Sequence, residues 1–206
     1  MLLTAAGVGS DIVLNQAITT GSGEINLKAA DSVALGANVS TTGNDFIEAT
    51  AGSITRSAGT VSGNQAVLTA GTSMGANGSA VQTSVSALAI QSGGDAFVQQ
   101  SQSLAVSGQS TGGALHVDVS NGNVSVQSLN ISPSVAGNAR GYNSSGLSAA
   151  TTLAVSASGS ISQADASQLL SATDTVLSAG STIGSGSQNM RSQTGSLKLT
   201  SAGDQF

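Results

Sequence analysis

The chain has a single histidine, His116, and two residues further on stands Asp118. On a β-strand, residues i and i+2 share one face, so this pair could be neighbours. Serine is abundant, and a Ser–His–Asp set is conceivable. A working triad needs a sequestered, oriented imidazole, which the outward face of a flat strand does not offer. His116 and Asp118 therefore read as a polar outer face. The ten acids (Asp11, Glu24, Asp31, Asp45, Glu48, Asp95, Asp118, Asp165, Asp174, Asp204) are spread along the chain. Polysaccharide-cleaving chemistry needs clustered carboxylates or a cationic base in one groove. The closest pair, Asp45 and Glu48, is expected to be a turn-capping Asp and a surface Glu. GGD at 93–95 and AGD at 202–204 supply one carboxylate per long repeat. That makes no metal site, and each Asp is expected to close its own turn. There is no GGxGxD run and no regular rank of outward threonines. The absence of Cys excludes disulfide and thiol chemistry. No catalytic residue, metal or cofactor is expected, and the chain does not read as an enzyme.

Charge narrows the partners. The net charge is −5, and the five cations, Lys28, Arg56, Arg140, Arg191 and Lys198, are scattered. Nucleic acid and anionic membranes call for clustered Lys and Arg. No stretch reaches the roughly 18 apolar residues that membrane insertion through a helix requires. One segment stands out as a ligand candidate: SPSVAGNARGYNSSG at 132–146 holds the only Pro and the only Tyr. It is expected to protrude as an extra loop. Asn138, Arg140 and Tyr142 would carry binding there, Tyr142 by stacking on a sugar and Arg140 by pairing with a carboxylate.

These residues must be positioned by short strands. In EINLKAA (24–30), Ile25, Leu27 and Ala29 alternate with Glu24, Asn26 and Lys28. ALHVDVS (114–120), NVSVQ, TLAVSAS and SLKLTS alternate in the same way. Comparable positions Leu27, Ile47, Leu68, Leu88, Val106 and Val126 recur at 18 to 21 residues. That period predicts an all-β parallel β-solenoid of nine or ten coils, each about 20 residues long, as one domain over 1–206. Only 2% of residues are aromatic and 7% charged, against 39% hydrophobic and 27 glycines. A narrow stack of coils buries small aliphatics easily and turns its corners with Gly and Asn. The chain also repeats on a longer scale. Residues 68–97 fall on 177–206 without a gap, with Gly71/Gly180, Gly75/Gly184, Asp95/Asp204 and Phe97/Phe206 among the identities. The second copy stops at Phe206, which suggests an internal segment of a longer chain.

The strand starts Gly52-Ser53-Ile54 and Gly159-Ser160-Ile161, the LTAG and LSAG runs (68–71, 177–180) and the block MGANGSAVQTSVSALAIQSGGDAFV together resemble the filamentous haemagglutinin family. These are large exoproteins of two-partner secretion, a group that also includes contact-dependent inhibition stalks. The resemblance implies a right-handed parallel β-helix, secreted through an outer-membrane partner and displayed on the bacterial surface. It implies a non-catalytic shaft of an adhesin, with neighbouring coils of the parent chain as its main contacts. The alternative is a module that binds a host or neighbour-cell glycan or protein through the 132–146 loop.

Overall fold

The structure is a computed structural model that describes residues 1–134 and 139–206. Every regular element among them is a β-strand. Parallel strands stack in about 9 coils, about 22 residues apart, forming a β-solenoid. At the usual strand spacing the stack is about 40 Å long.

One face runs through Leu2–Ala5, Ile25–Ala29, Asn44–Ala49, Gln65–Ala70, Ala87–Ser92 and Leu104–Ser110, each parallel to the next. A second face holds Ile12–Leu14, Val33–Leu35 and Ile54–Arg56, extended by single bridges at Met74 and Ala96. A third is built from the short strands Ile18–Thr19, Val39–Ser40, Val61–Ser62 and Val81–Ser84. From Ala96–Gln100 onward the second and third faces merge. Leu115–Val119, Thr152–Ala157, Leu170–Ala179 and Ser192–Ser201 follow in register. Alternation puts every second side chain inside. Leu27, Ile47, Leu68 and Ile90 form one such inward column, and all are buried.

The expected ladder slips once. Leu68 pairs with Ile90, not Leu88, which pairs with Ala66 and Val106. A slip of two residues keeps the same face inward, so hydrophobic spacing alone could not detect it. The longer repeat makes the same local turn twice. Met74 and Ile183 are both single bridges, and Gly75 and Gly184 follow them at φ +60° and +80°. The Phe97 and Phe206 amides then donate to the Met74 and Ile183 carbonyls at 2.7 and 2.8 Å. The positive φ explains the glycines.

Asp95 does not close its own turn as expected; like several other corner groups it reaches the next coil. Asp11 Oδ1 accepts from the Ser32 amide at 2.8 Å, and Ser32 Oγ accepts from the Ser53 amide at 3.2 Å. Asp95 Oδ1 accepts from Ala114 N at 2.8 Å, and Asn123 Oδ1 from Ser160 N at 2.8 Å. Each short polar group at a corner satisfies an amide of the following coil, where a bare edge would leave it unpaired.

The long rung after Val126 is an insertion in the middle of a strand. Val124–Val126 and Leu147–Ala149 both pair with Leu104–Ser110, as two halves of one strand. Between them Ser128–Ile131 and Tyr142–Ser145 form an antiparallel hairpin. The hairpin does not protrude. It folds back across the outer side of the first face, toward earlier coils.

Candidate functional site

Along the first face, Phe46, Val67 and Ala89 stand opposite one another and point outward. Outward apolar side chains on a solenoid must be covered or left wet. Here Leu129, Ile131, Ala139 and Tyr142 cover them, making a second apolar cluster outside the coils. Tyr142 is only 2% exposed, and its hydroxyl lies 3.3 Å from Ser107 Oγ. The ring expected to stack on a ligand is therefore packed against Phe46's neighbourhood. Arg140 donates from its backbone amide and its Nε to the Glu48 carboxylate at 2.7 and 3.0 Å. Lys28 approaches the same carboxylate at 3.8 Å. Ser134, beyond the first hairpin strand, donates from its N and Oγ to Glu24 at 2.9–3.1 Å. Asn138 lies outside the described residues. Arg140 also borders a hollow of about 220 Å³ with Gln91, Gln109 and Thr111.

Asp45 and Glu48 differ from their expected roles. Glu48 is 1% exposed and is the anchor of the hairpin, not a surface acid. Asp45 points inward, in a column between Ile25 and Ala66. It is fully buried, and neither carboxyl oxygen has a hydrogen-bond partner among the described residues. Desolvation pushes its pKa up from 3.8 to about 8. A charged carboxylate there would be unpaired in an apolar core, so the proton stays on. The sequence hid this, since an Asp within Gly43-Asn44-Asp45 reads as turn chemistry.

The second concentration of chemistry lies on the merged face. Phe97 and His116 are register partners on adjacent strands, both pointing outward. Their rings stack with centroids 4.5 Å apart and planes 10° apart. That separation matches the strand spacing, so the ring normals run roughly along the solenoid axis. Burial lowers the His116 pKa below its ordinary value, and Asp95 opposes the shift in part. Two residues along the same strands, Gln82 Nε2 of the preceding coil donates to Gln99 Oε1. Gln99 Nε2 then donates to Asp118 Oδ2 at 3.2 Å, and Ser156 Oγ donates to Asp118 Oδ1. Asp118 thus belongs to an amide and hydroxyl ladder, and no hydrogen bond joins it to His116. A hollow of about 260 Å³ opens beside the stack. On the other side of His116, a shallower one of about 130 Å³ lies over Ala154 and Val176. The sequence showed the His and Asp; what it concealed was Phe97 lying under the imidazole, because that contact depends on register between strands 19 residues apart.

No three His, Cys, Asp or Glu side chains among the described residues come together in a way that could hold a metal ion. No protein-family model, curated protein or solved structure matches the chain.

Proposed function

We propose that this chain is a structural shaft segment of a secreted, cell-surface-displayed bacterial adhesin of the filamentous haemagglutinin-like kind. The observation that carries the reading is the coil-on-coil ladder. It runs from Leu2–Ala5 to Ser192–Ser201, with amides at several corners satisfied by the neighbouring coil. Such a stack adds length in proportion to residues and needs no ligand to do its work. The strand-start and LTAG motifs support the family, and with it export through an outer-membrane partner. Folding of the stack outside the cell would make passage irreversible. The test is antibody labelling of source cells with serum raised against this segment. Intact cells should label, and cells lacking their outer-membrane exporter should not. Labelling only after permeabilisation would overturn the proposal.

A second reading, a glycan- or protein-binding module working through the 132–146 region, rests on the hollow beside Arg140. It predicts that excising the hairpin abolishes binding to cells while the solenoid remains folded.

A further inference from the structure

The solenoid leaves a gap under Phe97. Met74 bridges Ala96, and Val81 pairs with Val98. Residues 75–80 therefore stand opposite Phe97 alone, and they bulge outward as a loop instead of forming a strand. Ala76 and Ser79 close the loop with reciprocal backbone bonds of 3.2 and 3.0 Å. The bulge becomes the wall of the 260 Å³ hollow, which the Phe97–His116 stack also borders.

The rim is polar and held in place. Arg56, which lines the hollow, is fixed by its Nε donating to the Gly59 carbonyl at 2.7 Å. Gln82, Gln99 and Asp118 are held by their mutual bonds. Asn77 stands on the loop. Groups already ordered lose little entropy when a ligand arrives.

We propose that this hollow binds a single neutral pyranose ring of a glycan, its C–H face laid on the face of Phe97 that His116 leaves free and its hydroxyls taken by Arg56, Asn77 and Gln82. The volume is below the roughly 300–1,000 Å³ of sites for drug-sized ligands, which fits one small ring. An aromatic face beside fixed donors and acceptors matches a molecule that is apolar on one side and hydroxylated at its edge. Asp95 and Asp118 close to the stack, with one cation, disfavour phosphates and nucleotides. An added peptide strand has no edge to join, since the Phe97 and His116 strands are paired on both sides. The inference goes beyond the shaft reading and does not rest on it.

His116 is the only histidine, so its imidazole resonance is a single reporter within the hollow. The experiment titrates the purified chain with the methyl pyranosides of glucose, galactose, mannose and N-acetylglucosamine, and with a methyl glucuronide as the anionic probe. At least one neutral sugar should shift the His116 signal saturably, with Kd on the order of 1 mM for a single ring. Phe97→Ala should weaken it at least about tenfold, a difference of about 1.4 kcal/mol. Gln82→Ala, which leaves the platform and the core untouched, should weaken it several-fold. A flat His116 signal with all four neutral sugars overturns the proposal. So does an unchanged Kd in both variants, or tighter binding of the glucuronide than of every neutral sugar.

Discussion

Phe46 and Phe97 occupy equivalent kinds of position: both sit on strands of the solenoid and both point away from its core. Their fates differ. Phe46 is covered by the Ser128–Ile131 and Tyr142–Ser145 hairpin and is 0% exposed. Phe97 has His116 against one face of its ring, is only partly buried and borders an open hollow. The coils treat outward aromatics alike; the difference lies in whether another part of the chain was recruited over them. An outward aromatic with a cover acts in stability. One without a cover is available for contact with something else.

Removing the cover should have the largest effect. Gly146 N already lies 3.3 Å from Gln127 O, so residues 128–145 can be excised with the flanking ends nearly touching. The shortened chain should keep its strand signal in far-UV circular dichroism. It should lose on the order of 3–6 kcal/mol from exposing Phe46 and Val67 and should bind a hydrophobic dye. Unchanged stability would make the hairpin a passenger and end the comparison. Next come the two aromatics themselves. Phe46→Ala should cost about 3–5 kcal/mol in urea unfolding, and Phe97→Ala under about 1 kcal/mol. Equal costs would mean that the open face is as closely packed as the covered one. A separate effect is in pH. Asp45, next to Phe46, holds its proton to about pH 8 when folded and releases it near 3.8 when unfolded. Between those values the unfolded chain binds fewer protons, so stability should fall as pH rises, by up to about 1.4 kcal/mol per pH unit. Asp45→Asn should flatten that slope when melting is followed from pH 4 to 8. A slope that persists would place its origin elsewhere.

The architecture was legible because its cause is periodic. Strand alternation and a recurring interval of about 20 residues follow directly from stacking, and Gly75 and Gly184 mark the same turn in both copies of the repeat. What escaped was everything set by register or by contacts between distant segments. Leu88 looked like the next rung when Ile90 was, since both face inward. Tyr142 looked like a ligand platform, being a lone ring in a polar loop; nothing local to it reveals Ser107 as its partner or the apolar cluster around Phe46 and Val67 that it joins. Glu48 looked solvated for the same reason, because its partner Arg140 is 92 residues away. His116 and Asp118 were read as a polar outer face, and both do point outward; their partners were hidden, since His116 rests on Phe97 and Asp118 on Gln99 and Ser156.

The hairpin has a consequence for the order of events. Almost every contact of a solenoid joins a coil to the next, so coils can be laid down one after another as the chain becomes available. The bonds from Ser134 to Glu24 and from Arg140 to Glu48 span 110 and 92 residues. A chain assembling from its N-terminus must therefore hold the strip of Phe46, Val67 and Ala89 uncovered through several further coils, until the arm is made and folds back. The early coils wait on a late one. Their completion is timed by a segment they do not touch in sequence, and the first half of the molecule becomes final only when the second half has begun.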